Sequence, residues 1–473
     1  MPIYTITPQD VLMFRDGRPM EGGLSGHGAR WPEPGVVFDA LHAALHRAFP
    51  AVQNWEHAHR HGRSSDRDSN RARLQRFGSL ATLGPFPAVA HGAPASAWFF
   101  PCPADVTRAE HCELAVLHPL REPGGCNNLP VPLKYPLANP APPSKTEPKP
   151  WWSKIAIQAY LKAGDGPMQT SNTGDFWERE LRSGPDLYAA EWATGIAIDP
   201  ATQTTGHGEA AGKIYSAEYL RLRDGVTFGI HATMPMKNGA PGAIEERIGE
   251  LFPAHHTIIV GGQQRTCEVQ PLPGKLGDYL PAAAPIPQGA TRVKWLLLSP
   301  AVFPAIKLDP AKDIRAHPGG WLPNWVCPTT GEVLLKAGDT ERHKGESRDD
   351  WRRRVRALPN IAARLVAARV PKPIVVTGWT EAVHLKDTPW EREHGPRPTL
   401  LAVPAGAVYY FEADTPEAAA ELADALNWHG RERTFAAIKN RRSTLLGEKG
   451  YGLGVCGTWQ FYEQHVQSVR SVR

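Results

Sequence analysis

The sequence lacks long apolar runs and a recognisable secretion signal. No stretch of eighteen consecutive apolar residues occurs, so the chain offers no conventional membrane-spanning helix. The first residues, MPIYTITPQD, have neither the basic segment nor the apolar segment that signal peptides carry. We therefore expect a cytoplasmic protein with no membrane partner.

Cysteine is scarce, and familiar catalytic signatures are missing. Six cysteines are scattered over 473 residues without a C-x₂-C pair, so thiols are favoured over zinc ligands. Three cysteines and two histidines within residues 102–126 leave a metal site as the less favoured alternative. The motifs G-x-S-x-G, H-E-x-x-H and G-x-x-x-x-G-K-[ST] do not occur. We predict no cofactor, no metal and no catalytic residue.

What the chain does contain is enough apolar sequence for a folded protein of two or three domains. Hydrophobic residues make up 41%, and the net charge of +5 permits a polyanionic partner without requiring one. Strand-like segments such as IYTIT mix with helical ones in no strict order, which predicts an α+β fold. We place the boundary between the halves at residue 240, giving domains at 1–240 and 241–473.

Two helices and two irregular segments complete the prediction. Thr415 and Pro416 are typical of a helix start, and residues 349–369 resemble a helix interrupted by Pro359. Residues 60–76 carry six arginines and are interpreted as a basic loop. Ten prolines within residues 119–150 indicate an extended arm or linker.

The first candidate site is the loop FRDGRPMEGGLSGHGAR at residues 14–30. Five of its seventeen residues are glycine, which permits close approach of the backbone to a ligand. Arg15, Arg18 and Arg30 are suited to phosphate groups, and His27 to phosphate binding or acid–base chemistry. A flexible surface loop with satisfied Arg–Asp pairs is the equally weighted alternative.

The second candidate site is the glycine-rich segment LLGEKGYGLGVCGTW at residues 445–459. Its predicted RNA-binding residues are Lys449, Gly450, Tyr451, Gly452 and Gly454, with Arg441 and Arg442 just upstream. Cations next to a stacking tyrosine match the needs of single-stranded nucleic acid. A bulged turn beside a solvated helix would explain the same residues.

A third segment, residues 194–222, combines two strand patterns with a loop that contains Lys213. Tyr215 and Tyr219 fall on one face of the second strand and could stack on bases, although core packing is the commoner reason for such a pattern.

Several of these stretches resemble one known family. ITPQDVLMFRDGRPM…GHGAR, TGIAIDPATQTT…GKIYSAEYLRL, LLLSPAVFP, VPAGAVYYFE and GYGLGVCGTW resemble, in order, segments of the third Cmr subunit of type III-B CRISPR effector complexes. That family belongs to the Cas-five group of RAMP proteins. The resemblance implies two ferredoxin-like (RRM-like) domains with antiparallel sheets and inserted loops.

The resemblance also implies a function in antiviral defence. It implies a non-catalytic, RNA-binding subunit of a ribonucleoprotein complex, with the crRNA 5′ tag as its ligand. The implied protein partners are the large Cas-ten-type subunit and the first Cmr backbone subunit, and contact with target RNA is indirect. The implied RNA-binding residues are those of the two glycine-rich loops, and residues 194–222 are expected to supply a finger or partner contact.

Two other functions fit the same residues. One is a metal-independent endoribonuclease of the RAMP fold that processes crRNA with His27, although no acid–base partner is evident near it in sequence. The other is a protein scaffold whose basic loops dock on acidic partner surfaces.

Overall fold

The computed structural model describes most of both halves of the chain. The described residues are 2–14, 25–26, 28, 31–48, 77, 79–90, 96–108, 114–121, 128–142, 144–162, 177, 179–196, 198–199, 201–205, 214–237, 244–246, 248–252, 256–312, 314–343, 345–380, 395–396 and 398–463. The basic loop predicted at 60–76 lies outside them. Among the described residues, no helix is both long and apolar enough to cross a membrane.

Short strands and a few helices make up the regular structure. The helices within the described residues are α1 (Pro34–Ala48), α2 (Lys154–Lys162), α3 (Gly184–Leu187), α4 (Ile248–Leu251), α5 (Leu276–Tyr279), α6 (Arg348–Ala357) and α7 (Pro416–Leu426). The strands are β1 (Ile3–Pro8), β2 (Ser25–Gly26), β3 (Ala81–Ala90), β4 (Ser96–Pro101), β5 (Val106–Arg108), β6 (Leu114–Val116), β7 (His118–Pro119), β8 (Leu137–Ala138), β9 (Trp151–Ser153), β10 (Leu181–Arg182), β11 (Tyr188–Ile196), β12 (Ile214–Leu222), β13 (Val226–Thr233), β14 (Pro235–Lys237), β15 (Ile244–Glu246), β16 (His256–Ile259), β17 (Thr266–Leu272), β18 (Arg292–Leu297), β19 (Ala363–Arg369), β20 (Ile374–Val376), β21 (Trp379–Thr380), β22 (Gly395–Pro396), β23 (Leu400–Ala402), β24 (Val408–Ala413) and β25 (Gly454–Gly457).

One eight-stranded antiparallel sheet dominates the N-terminal half. Its strand order is β10-β9-β4-β3-β13-β1-β17-β16. Strand β17 pairs with β1 from Cys267 to Leu272, well beyond the predicted boundary at residue 240. Residues 1–240 therefore do not supply all the strands of this sheet, because β16 and β17 join it from beyond residue 240.

A four-stranded antiparallel sheet forms the centre of the C-terminal half, in the order β19-β24-β18-β25. Helix α7 packs on it and begins as predicted, since the Thr415 side chain accepts a hydrogen bond from the Ala418 N–H. The predicted helix over 349–369 is wrong in its second part. Helix α6 ends at Ala357, and the chain continues as β19 because Ala363–Arg369 pairs with β24.

The two sheets share a pattern of connection. In each sheet, four neighbouring strands are arranged as β17-β1-β13-β3 and β25-β18-β24-β19. If the four are numbered by their order in the chain, both sets read 4-1-3-2 across the sheet. A helix follows the first strand and another follows the third, which gives the order β-α-β-β-α-β in both halves. The prediction of an α+β fold with antiparallel sheets is confirmed.

The two halves are joined by a common core. One hydrophobic cluster contains Trp98 and Trp152 from the N-terminal sheet region together with Tyr410, Trp428 and Val455 from the C-terminal half. The opposite face of the N-terminal sheet is covered by α1, with Val37, Leu41 and Leu45 among the buried residues. Each sheet therefore has one face buried against the other half of the molecule. That face is not accessible to a ligand.

The described part of the proline-rich segment reaches from one half to the other. The N–H groups of Lys134 and Tyr135 donate to the Val366 carbonyl of β19, at 2.8 Å and 3.0 Å. Leu133 packs on the C-terminal core, and Tyr135 Oη donates to Glu412. The segment is thus an extended arm laid across β19, as its prolines predict, and it contributes to the joint between the halves.

Candidate nucleic-acid interface

Strand β12 fixes the two ends of the first predicted loop. Leu12 pairs with Leu220, and Ser25 and Gly26 pair in parallel with Ser216 and Ala217. The Gly28 N–H donates to Glu218 Oε2 at 3.0 Å. A Cβ atom at residue 28 would lie 2.9 Å from the Glu218 carbonyl oxygen, so this close approach requires glycine. The loop therefore leaves and rejoins the fold beside one strand.

The four predicted ligand side chains of this loop, Arg15, Arg18, His27 and Arg30, lie outside the described residues. The chain after the loop is held by Trp31, whose Nε1–H donates to the Pro85 carbonyl at 2.9 Å. The Trp31 ring packs against Phe228, with 4.9 Å between ring centroids, and lies three residues before the start of α1. The loop thus ends at the N-terminus of α1.

The glycine-rich loop of the C-terminal half reaches the same end of α1. A Cβ atom at Gly450 would lie 3.3 Å from the Pro34 side chain and 3.3 Å from Leu83 of β3. Lys449 Nζ lies 2.7 Å from Asp39 Oδ1 and 4.7 Å from the centre of the Phe38 ring. The fold therefore brings the glycine-rich loop to the helix into which residues 14–30 lead.

The glycines of this loop are explained by packing and backbone conformation. Gly450 and Gly452 have φ of +100° and +79°, which disfavours other residues. A Cβ atom at Gly452 would collide with the Ser443 backbone, and one at Gly454 with the Trp295 indole. The Gly452 N–H donates to Pro300, and the N–H groups of residues 449 and 450 are bonded within the loop. Those three N–H groups are consequently occupied.

Tyr451 does not present its ring to solvent. The residue has no exposed surface, so the predicted stacking on a base is not available in this arrangement. Its hydroxyl has no hydrogen-bond partner within the described residues, and Glu33 Oε2 is likewise buried and unpartnered. Burial, with a smaller contribution from Glu33, raises the pKa of Tyr451. The ring packs with Val302 and Ala402 of the C-terminal half, and the hydroxyl lies near Gly35 at the start of α1.

The two upstream arginines predicted to bind RNA also make internal contacts. Arg441 Nη1 donates to the carbonyls of Thr82 and Gly447, at 2.5 Å and 2.8 Å, and so links the two halves. Arg442 Nε donates to the Ala425 carbonyl at 2.6 Å, close to the C-terminus of α7. Burial lowers the pKa of Arg442 to about 10, which leaves it charged at neutral pH. Neither guanidinium is freely exposed.

The third predicted segment forms the long hairpin β11–β12. Lys213 lies outside the described residues, as does the side chain of Tyr215. Tyr219 is buried and its hydroxyl donates to Gln263 Oε1 at 2.8 Å, so core packing explains it. The other face of the hairpin carries the exposed apolar residues Trp192, Ile196 and Ile214.

A buried polar cluster at the joint was not predicted. The Asp105 carboxylate accepts hydrogen bonds from Tyr160 Oη at 2.7 Å and from Tyr410 Oη at 2.6 Å. Lys294 Nζ lies 3.8 Å from the same carboxylate and 3.9 Å from the centre of the Tyr160 ring. Burial lowers the pKa of Lys294, and Asp105 opposes that shift. One signal was available: Lys294 is a cation within the apolar strand RVKWLL.

The cysteine-rich segment is only partly described. Cys112 and Cys126 lie outside the described residues, and burial raises the pKa of the Cys102 thiol well above its usual range. His118 is buried, with Nδ1 3.3 Å from the Gln460 carbonyl. Within the part of the chain that the structure describes, no three His, Cys, Asp or Glu side chains are grouped so as to hold a metal ion.

Comparison with solved structures gives weak similarities. A chain of the type III-B Cmr-beta structure bound to cognate target RNA and AMPPnP is 12% identical, with 86% of each chain covered and a TM-score of 0.37. A chain of the type III-A Csm3-Csm4 subcomplex is 10% identical, with a TM-score of 0.34, and the match covers 88% of this chain and 93% of that one. Comparison with curated proteins gives no match.

A family model decides the assignment, because it matches nearly the whole chain. The matched residues are 4–459, which include both sheets, the ends of the first loop and the glycine-rich loop. The family is described as CRISPR-associated protein (Cas_Cmr3). The chain belongs to the Cas_Cmr3 family of CRISPR-associated proteins.

Proposed function

We propose that this protein is a non-catalytic, RNA-binding subunit of a type III-B (Cmr) CRISPR effector complex. In this proposal it binds and caps the 5′ tag of the crRNA, and it bridges the large Cas-ten-type subunit to the backbone subunits. One observation carries the RNA-binding part. The glycine-rich loop packs on the N-terminus of α1, three residues after the first loop (residues 14–30) rejoins the fold at Trp31.

The fold assigned to each half in this proposal is ferredoxin-like. The β-α-β-β-α-β order and the sheet order fourth, first, third, second, found in both halves, support it. The two halves differ from a pair of open RRM-like sheets in one respect, since a face of each sheet is buried in the common core. RNA must therefore be bound by loops and edges rather than on the shared sheet faces.

The cations of the first loop are the proposed contacts to the tag. Arg15, Arg18 and Arg30 have guanidinium groups suited to phosphates, and His27 lies between two glycines of the same loop. The Arg18→Ala/Arg30→Ala variant is expected to bind tagged crRNA about tenfold or more weakly. The slope of the logarithm of the binding constant against the logarithm of the salt concentration is expected to become shallower by roughly 0.7 for each lost phosphate contact.

That prediction is checked by fluorescence anisotropy at several salt concentrations, with full-length protein and a labelled, tagged crRNA. Arg315→Ala is the matched control, because Arg315 is an exposed arginine of the C-terminal half. Unchanged affinity and unchanged salt slope in the loop variant would show that the loop does not bind the tag.

The role of Lys449 is separated from its structural contact by a matched pair of variants. Lys449 pairs with Asp39, so Lys449→Ala and Asp39→Ala remove the same ion pair. If Lys449 also binds RNA, only Lys449→Ala weakens tag binding, by about three- to tenfold, while Asp39→Ala leaves the cation available. Equal tag affinity in both variants would assign Lys449 to the joint alone.

The absence of catalysis is part of the proposal and has its own test. The purified protein is incubated with CRISPR repeat RNA without metal, and the products are separated on a denaturing gel. We expect no specific cleavage. Cleavage at one position that is lost in His27→Ala would instead support the processing endoribonuclease.

A further inference from the structure

Helix α6 stands apart from the core of the C-terminal half. None of its ten residues is buried, and its sequence RDDWRRRVRA contains five arginines and two aspartates. One side of the helix is fixed to the preceding loop: Trp351 Nε1–H donates to the Thr340 carbonyl at 3.0 Å, and Arg354 Nε–H to Glu346 Oε1 at 2.9 Å. The opposite side is left to solvent.

The solvent side of α6 carries an arginine stripe, defined here as Arg348, Arg352 and Arg356. These residues are spaced by four, so they lie on one face and are separated by about 6 Å along the helix axis. All three are exposed. The structure therefore presents three guanidinium groups in a row, at a spacing close to that of neighbouring phosphates on a nucleic-acid strand.

Some exposed arginines of the C-terminal half are paired with acids, but the arginine stripe largely is not. Arg353 pairs with Asp350 at 3.0 Å, and Arg431 pairs with Asp424 at 3.2 Å. Arg352 has only a long contact of 3.5 Å with Asp349. Within the described residues, the side chains of Arg348 and Arg356 make no hydrogen bond or ion pair. The stripe keeps most of its positive charge available.

Stability of the helix accounts for part of the stripe, because Arg356 lies in the last turn, where the helix dipole favours a cation, but it does not account for Arg348. Arg348 occupies the first helical residue, where the helix dipole disfavours a cation. The N-terminus is already capped, since the Ser347 side chain accepts a hydrogen bond from the Asp350 N–H. A cation at Arg348 thus works against the helix and is better explained by an external anion.

We propose that the arginine stripe of α6 binds the phosphate backbone of RNA without regard to sequence. Guanidinium groups bind phosphate oxygens with two parallel hydrogen bonds, and three in a row can follow consecutive phosphates. The stripe is flanked on one side by the exposed residues Asp349, Arg353 and Ala357, and on the other by Trp351 and Val355, which are only partly exposed. The fully exposed surface around the stripe is therefore mostly charged, which favours a polyanion over a protein partner.

The inference rests on the proposed function only in taking the bound RNA to be crRNA. The experiment tests binding by the stripe and recognition of the tag separately. Full-length protein with Arg348→Ala, Arg352→Ala and Arg356→Ala is compared with unaltered protein by fluorescence anisotropy. Three RNAs are used: the tag alone, the tag followed by a guide-length extension, and the same extension without a tag. Arg353→Ala is the control, because that arginine is paired and lies outside the stripe.

We expect the triple variant to bind both extended RNAs about tenfold more weakly, with a salt slope shallower by roughly 2, as for three lost phosphate contacts. Replacement of the three arginines by lysine should restore most of the slope. Unchanged affinity and slope for both extended RNAs would overturn the proposal. If unaltered protein binds the tagged and untagged extended RNAs equally well, tag recognition is contradicted. The comparison of the triple variant with unaltered protein on the untagged RNA still decides whether the stripe binds RNA.

Discussion

The Asp105→Ala variant is expected to lose about 3–5 kcal/mol of its free energy of unfolding, the range found when one partner of a buried ion pair is removed. Asp105 has no exposed surface and accepts hydrogen bonds from two buried tyrosine hydroxyls. Alanine would leave Lys294 as a buried cation without its counter-charge. Because Tyr160 belongs to the N-terminal half and Lys294 and Tyr410 to the C-terminal half, the loss falls on the joint between them.

Chemical denaturation followed by tryptophan fluorescence measures this effect, since Trp428 and Trp152 lie in the shared core. The matched control is Tyr160→Phe, which removes one hydrogen bond to Asp105 and should cost about 1 kcal/mol. The double variant Asp105→Ala/Lys294→Met should be more stable than Asp105→Ala, because no buried charge remains. A loss below 1 kcal/mol in Asp105→Ala would show that the cluster does not hold the halves together.

Replacement of Glu33 by glutamine is expected to stabilise the protein at alkaline pH and to change little at pH 5. Burial raises the pKa of Glu33 from 4.5 to about 7, and its Oε2 atom has no hydrogen-bond partner. The folded protein therefore binds a proton more tightly than the unfolded chain, so ionisation of Glu33 reduces stability as the pH rises from about 4.5 to about 7. The shift from 4.5 to about 7 corresponds to a reduction of about 3 kcal/mol.

The prediction is checked by the denaturation midpoints of both proteins at pH 5 and pH 8. The difference between Glu33→Gln and unaltered protein should be near zero at pH 5 and largest at pH 8. Asp39→Asn is a useful control, because Asp39 is an exposed acid of α1, the helix that begins directly after Glu33, and it pairs with Lys449. An equal shift at both pH values would show that the Glu33 carboxyl is not the titrating group.

Local signals in the sequence located the elements whose ends depend on nearby residues. The helix start at Thr415 and Pro416 is an example, because a side-chain cap and a proline act within one helical turn. Strand β19 was missed for the opposite reason. Its sequence ARLVAAR has good helix formers, and only pairing with β24 makes it a strand.

The candidate site depended still more on distant contacts. Nothing local to Tyr451 shows that its ring is buried, or that Lys449 lies beside Asp39, 410 residues away in sequence. The pairing of β17 with β1 likewise joins residues more than 250 positions apart, which no local pattern indicates. The order of the motifs was sufficient to identify the family, but it did not predict how the glycine-rich loop packs.

The central claim is that the first loop, residues 14–30, holds the 5′ tag of the crRNA together with the contact between the start of α1 and the glycine-rich loop. Ultraviolet crosslinking of tag-labelled crRNA in the purified complex, followed by peptide mapping, tests it most directly. The account predicts crosslinks within residues 14–31, with weaker ones near Lys449. Crosslinks from the tag to another subunit alone, or only to distant surfaces of this chain, would contradict it.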